Sequence, residues 1–283
     1  MIFNPKSPFE QQYAPLLHQA IAQGKVPRYL YKYRTIEQFN EYYLGKSEAY
    51  FAEFSSLNDP YEAYANYATE YSDDDWKAIF YKLNTPPYHW DFLLDTIHSN
   101  PDRMHEIIRQ CINTATAETG VLCLSSQNDN LLLWTHYADN GKGVCVEFDI
   151  DMDPCFFLLP KKVEYSDDVV SLNYMKEQER VMEPLYHKSA QWSYENEYRV
   201  IKPNFIGPRS FNKEAMTSIV FGHAVTQDVM EETIQKANDA GFSHLRLNAN
   251  CYFYEQRECG LVAWKWDCSE LLRGNKASNE VTK

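Results

Sequence analysis

Alternating and helical spacings of apolar residues divide this chain into a strand-rich frame interrupted by a helical stretch. Residues 28–34 alternate, with Leu30, Lys32 and Arg34 opposite Tyr31 and Tyr33, and read as a short strand. Further strands are expected at 121–125, 143–149, 162–165, 194–201, 218–222, 244–247, 251–255 and 261–266, with 49–54 extended. Helical spacing appears over 7–23, where Pro8 suits the first turn and Gly24 the C-cap, and over 35–44. From 72 to 118 the pattern is helical throughout. Ser72 caps, three Asp fill the first turn, and Trp76, Ile79, Phe80 and Leu83 follow; a second helix falls within 88–98 and a third starts after Asn100. Helices at 130–139, 173–186 and 226–240 separate the later strands. Strands in two clusters with helices between them predict an α+β fold with a mixed, mainly antiparallel sheet. The expected organisation is one domain over 1–273 with a helical insertion at about 70–118, and a polar, flexible tail over 274–283.

Composition narrows the class. A chain that is 44% hydrophobic and 15% aromatic can pack a core and still present aromatic surfaces for stacking a ligand. Nothing in it approaches the apolar length of a membrane span, and its first residues lack the build of a signal peptide, so a soluble cytoplasmic protein without a membrane partner is expected. Seven cysteines without a Cys-x-x-Cys pair argue against a zinc site or a disulfide framework. The net charge of −13 argues against a broad nucleic-acid footprint. Only ten glycines occur and no phosphate-cradling motif is present, so an anion would be held by side chains such as Arg34.

The segment from Trp192 to Ile201 carries the most chemistry. Read as a strand, it puts Ser193, Glu195, Glu197 and Arg199 on one face and Trp192, Tyr194, Tyr198 and Val200 on the other. The aromatic face suits a core. The opposite face sets two carboxylates roughly 7 Å apart along the strand. Carboxylates that close repel, and one pKa rises unless a cation or ligand compensates. A site and a solvated ion-pair face both fit that pattern.

Other positions have two readings each. Asn58-Asp59-Pro60, followed by Glu62, reads as a tight turn in which Asp59 bonds its own backbone. Arg34, at the end of its strand, is a fork for a carboxylate or phosphate, or an edge charge in water. Ser125 ends an apolar strand and is a site candidate or a helix-entry cap. Leu133, Trp134 and Tyr137 share a helix face that suits a core, and His136 lies off it.

These blocks together resemble the bacterial family named domain of unknown function 2971. The resemblance rests on Leu30–Arg34, on Asn58-Asp59-Pro60-Tyr61-Glu62, and on Cys123-Leu124-Ser125 with Leu133-Trp134-Thr135-His136-Tyr137-Ala138. It continues through residues 143–149 and Lys188 to Trp192-Ser193-Tyr194-Glu195-Asn196-Glu197-Tyr198-Arg199. The family more often has a His where this chain has Gly141, which takes a catalytic role away from that loop position. The order Arg34, Ser125, Glu195-x-Glu197 is also similar to that of toxin-type ADP-ribosyltransferases. That likeness implies an ADP-ribosyltransferase-like fold and activity, with NAD as the substrate in place of a resident cofactor. In it Glu197 would stabilise the oxocarbenium-like transition state, Glu195 would orient or deprotonate the acceptor, and Ser125 would order Glu197. Arg34 would hold phosphates or ribose, with Tyr31, Trp134, Tyr137 and Arg199 completing the NAD site. The implied setting is a toxin or phage-defence effector, its acceptor a protein or nucleic acid and an antitoxin its partner. Two rivals follow from the residues alone. One is a non-enzymatic binding or sensor module using the Glu/Arg face. The other is metal-assisted chemistry at Glu195, Glu197, Asp59 and Glu62.

Overall fold

The structure, a computed structural model, describes residues 11–267 apart from 60, 62, 63, 69, 258 and 259, with backbone only at 114, 115, 117 and 248–267. The start of the first expected helix, Glu62 and the tail at 274–283 lie outside the described residues.

Helix α1 (Tyr13–Ala22) leads into β1 (Tyr29–Arg34). The chain then turns through a π-helical stretch, Phe39–Leu44, into β2 (Glu48–Glu53) and β3 (Ala65–Tyr67). The expected helical insertion follows as α2 (Asp73–Lys82), α3 (Trp90–Ser99) and α4 (Pro101–Ala117). Ser72 and Asp75 close a reciprocal capping box at its start. These helices pack their own small cores, Phe80 with Leu94 and Ile97, and Ile108 and Ile112 with Met175. Strand β4 (Gly120–Ser125), helix α5 (Leu131–Tyr137) and strand β5 (Val144–Asp149) return to the frame. Short strands β6 (Lys161–Lys162), β7 (Glu164–Tyr165), β8 (Val170–Leu172) and β9 (His187–Lys188) precede β10 (Glu197–Lys202) and β11 (Gly207–Ser210). The described chain closes with β12 (Met216–Phe221), α6 (Gln227–Asp239), β13 (Arg246–Arg257) and β14 (Gly260–Asp267).

The fold is α+β. Its main sheet runs β11-β2-β4-β1-β5-β12-β13-β14, antiparallel except where β13 joins β12, and β10 adds a second neighbour along β4. Alternation assigns the faces. Val144, Val146 and Phe148 of β5 join Leu30 of β1 in the larger core, while Cys145 and Tyr33 face the smaller one under Leu133 and Trp134 of α5. A central strand covered on both faces reads as a continuous apolar run, which is why β5 was legible in the sequence.

One irregularity positions everything that follows. Strand β4 meets β10 along its whole length, from Glu197 opposite Ser125 to Lys202 opposite Gly120. On its other edge it meets β1 only at Tyr31–Ser125 and β2 only at Ala52–Val121 and Glu53–Gly120. The sheet is therefore split between β1 and β4.

Three expectations are corrected. Residues 173–186 are not a helix: Asn173 turns its side chain onto the amides of Met175 and Lys176, Glu177 folds back to the Asn173 amide, and Pro184 lacks an N–H. Only 3-10 turns remain, at Gln178–Arg180 and Glu183–Tyr186. The strand expected from 194 begins only at Glu197, because Ala190–Glu195 coils as a 3-10 helix and Asn196 turns left-handed at φ 43°. The two strands expected at 244–247 and 251–255 are one, β13.

Among the described residues, no helix is long and apolar enough to cross a membrane. Cys111, Cys123, Cys145 and Cys155 are free thiols.

Gly143 sits where β1 ends beside β5. A Cβ there would lie 2.2 Å from the Arg34 carbonyl oxygen. Gly143→Ala is thus expected to lower stability by about 1–3 kcal/mol, the usual cost of overpacking, as read from urea unfolding. Unchanged stability would mean that β1 can shift away without loss.

Candidate functional site

The split in the sheet opens into a cavity of about 300 Å³. Tyr31, Lys32 and Arg34 of β1, Tyr50 of β2, Cys123 and Ser125 of β4 and Tyr137 of α5 line it together with Lys188, Glu195, Glu197 and Arg199. Seven of the eight site residues expected from the sequence thus converge on one space.

Its floor is a buried ion cluster. Lys188 Nζ donates to Glu195 Oε2 at 2.7 Å and reaches Glu197 Oε2 at 3.5 Å. Arg199, fully buried at 0% exposure, donates from Nε to Glu197 Oε1 at 2.8 Å and from Nη2 to Oε2 at 3.1 Å. Its Nη1 donates to the Leu185 carbonyl. Tyr137 donates to Glu195 Oε1 at 2.6 Å and accepts from Asn58 Nδ2 at 2.7 Å. Burial by itself would raise the Glu197 carboxyl, but the charge and hydrogen bonds of Arg199, aided by the charge of Lys188, more than reverse this and keep it ionised. Burial, with the Glu195 charge second, raises the Tyr137 phenol, so it stays a donor.

The kink before β10 is what aims two consecutive acidic positions at one lysine. On a continuous strand Glu195 and Glu197 would lie side by side, as expected from the sequence. Here Glu195 ends the 3-10 helix instead, and the left-handed Asn196 swings the two carboxylates toward Lys188 from different elements. The end of β4 and the loop after it hold that turn by its carbonyls. Ser125 Oγ donates to Glu195 O at 2.7 Å, Ser126 donates from its amide to Asn196 O at 3.1 Å, and Asn130 Nδ2 donates to Tyr194 O at 2.9 Å. Ser125 therefore orders the backbone between the carboxylates, and its hydroxyl bonds to the Glu195 carbonyl in place of Glu197 itself. Tyr165 Oη accepts the Glu197 amide from β7, which runs beside β9 and so ties Lys188 to the same frame.

The cavity wall differs from its floor. Lys32 donates to the Cys123 carbonyl at 2.5 Å, on the β4 edge that the split leaves open. Arg34 donates from Nη1 to the Tyr33 carbonyl and lies 5.9 Å from the Tyr43 ring. Among the described residues neither has a carboxylate within ion-pairing distance. Burial, and then the charge of Arg34, pull the Lys32 ammonium down to about 7. Burial pushes the Cys123 thiol up to about 12, so it is protonated at neutral pH and is no nucleophile. Tyr31 donates to Glu147, which is itself held by Thr217 and Arg246.

Trp134 is the expectation that fails. It is sealed in the smaller core edge-on to Tyr33, with its indole N–H spent on the Asn128 carbonyl, so no ligand ring can stack on it. Asp59 makes the expected turn, accepting the Tyr61 amide. With Glu195 and Glu197 bound to Lys188 and Arg199, no group of three or more His, Cys, Asp or Glu among the described residues converges for a metal. Lys188 escaped the sequence reading as a site residue, since nothing in its spacing marks it. Lys32 left a signal, its shared strand face with Arg34, but that spacing fits a charge in water equally well.

Residues 133–200 match the family model DUF2971, a protein of unknown function. The resemblance drawn from the sequence is thereby shown over that segment. It spans Tyr137, Lys188, Glu195, Glu197 and Arg199, and so covers the ion-cluster floor, whereas Lys32, Arg34 and Ser125 precede it. No curated protein and no solved structure matches the chain.

Lys188→Met is expected to cost about 3–5 kcal/mol in denaturant unfolding, because two buried carboxylates lose their ammonium. Adding Glu195→Gln to that variant is expected to recover part of the loss. A cost under about 1 kcal/mol for Lys188→Met would show that the cluster is wetter than its burial implies.

Proposed function

We propose that this chain is an NAD-dependent ADP-ribosyltransferase-like enzyme working in this cavity. The observation that carries the reading is the layered charge: ionised Glu197 and its partner Glu195 on the floor, and Lys32 and Arg34 on the wall without carboxylate partners. A dinucleotide offers the complementary order, an anionic diphosphate joined through ribose to a cationic nicotinamide. The surplus positive wall suits the diphosphate, and the tyrosines at 31, 50 and 137 offer ring faces.

In the reaction the ribose C1′–nicotinamide bond breaks and its electron pair leaves with nicotinamide, which becomes neutral. Positive charge develops on the ribose, and a fixed carboxylate at Glu197 stabilises it without reorganising. The acceptor's nucleophile bonds to C1′ and its proton passes to Glu195 or to water beside it. Ser125, Ser126 and Asn130 are positioning residues, since they hold the turn and touch no reacting atom. The toxin or antiviral-defence setting, the protein or nucleic-acid acceptor and an antitoxin partner belong to the same proposal.

One observation favours a second reading, that of a non-enzymatic module in which the cluster is structural. Glu195 and Glu197 already have their hydrogen bonds met by Lys188, Arg199 and Tyr137.

Calorimetric titration with NAD and a nicotinamide-release assay separate the two. Wild type is expected to bind NAD and release nicotinamide. Arg34→Met should weaken binding about tenfold without lowering the melting temperature, because it strands no carboxylate. Glu197→Gln should still bind NAD yet lose release by on the order of 100-fold or more. Full release from a folded Glu197→Gln protein, or no binding by wild type, would overturn the enzymatic reading.

A further inference from the structure

Within the cavity the positive and negative charges do not cancel. Glu195 and Glu197 are matched by Lys188 and Arg199, which leaves Lys32 and Arg34 in surplus in a chain whose net charge is −13. Each has spent little of its hydrogen-bonding capacity. An ammonium has three donors and Lys32 gives one to Cys123 O; a guanidinium has five and Arg34 gives one to Tyr33 O.

We propose that Lys32 and Arg34 form a two-armed cradle for the linked phosphates of a diphosphate ligand, with Lys32 the arm that tunes its hold as pH changes. The inference deepens the proposed function and rests on it for the nucleoside part of the ligand. The two residues are two positions apart on β1, so their backbones are roughly 7 Å apart on one face. Two joined anionic groups engage both arms together, whereas a single phosphate satisfies one arm fully. With no glycine-rich loop in the chain, side chains must supply these bonds.

The tuning follows from what faces Lys32. Arg34 on its own strand opposes its charge, while Glu197 of β10 and Glu195 before it favour the charge, with the neutral Cys123 thiol of β4 alongside; burial outweighs them. Tyr31, Tyr50, Tyr137, Lys188 and Arg199 complete the titratable and charged lining. With Lys32 lowered to about 7, the empty cavity loses one positive charge as pH rises through neutrality. A bound anion favours the ammonium form, so binding takes up a proton and weakens at higher pH.

The test uses the full chain and ADP-ribose, whose diphosphate keeps its charge across this range. Affinity is measured by calorimetry from about pH 6 to about pH 8.5, with inorganic pyrophosphate and inorganic phosphate as comparison probes. ADP-ribose binding is expected to fall about tenfold over that range. Lys32→Arg should keep the low-pH affinity and flatten the profile. Lys32→Met should bind about tenfold more weakly and also flatten it. Pyrophosphate should bind about tenfold more tightly than phosphate at the lower pH. If Lys32→Met does not fold, the wild-type profile and its flattening in Lys32→Arg still decide. A flat wild-type profile, or phosphate binding as tightly as pyrophosphate, overturns the cradle. ADP-ribose binding with this profile but no nicotinamide release from NAD keeps the cradle and sinks the transferase reading. Release of nicotinamide with a flat profile does the reverse, and no binding of any probe sinks both.

Discussion

The ammonium of Lys188, buried between Glu195 and Glu197, is the contact on which the rest of the site depends. Two carboxylates withdrawn from water this close together repel one another, and Arg199 alone bonds only one of them. Meeting that requirement needs Lys188 on the short strand β9, Glu195 at the end of a 3-10 helix and Glu197 at the start of β10, with a left-handed Asn196 between the last two. Ser125 at the end of β4, with Ser126 and Asn130 after it, then has a definite task, which is to take the three carbonyls that the kink exposes. A buried ion cluster costs desolvation that apolar packing of the same volume would not.

The split between β1 and β4 supplies the cavity itself. In a continuous sheet the β4 edge at Cys123 would pair with a neighbouring strand. Here the Lys32 side chain takes that carbonyl, which draws a cation into the opening and lets Arg34 border the same space. Burial then lowers the charge that Lys32 can hold when the cavity is empty. The fold thus separates two electrostatic layers, a neutralised floor and an unneutralised wall, within a protein that is strongly acidic as a whole.

Much of the frame was legible. The apolar run of β5, the alternation of β1 and the capping box before α2 are local signals, and each produced the element it implied. Where local signals competed, the reading failed. The aromatic run from Trp192 to Tyr198 has strand propensity, yet the hydrogen bonds from Ser125 and Asn130 stabilise a tighter coil over its first half. Asn173 and Glu177 likewise drew their own backbone away from the helix that spacing suggested.

By itself, the sequence determined which residue types were available for the chemistry, and in what order: Tyr31 and Arg34, then Ser125 and Tyr137, then Glu195, Glu197 and Arg199. The α+β class followed from its periodicities, because those depend on neighbours three or four residues away in a helix and two in a strand. Tertiary structure alone decided that Lys188 stands between the carboxylates, that Trp134 is core, and that Lys32 lies in the cavity wall. Those outcomes depend on pairings between segments far apart in the chain, 91 residues in the case of Lys32 and Cys123, and on the desolvation they impose. Neither a strand split nor a buried charge leaves a period in the chain, and both become visible only once distant segments share one low-dielectric space.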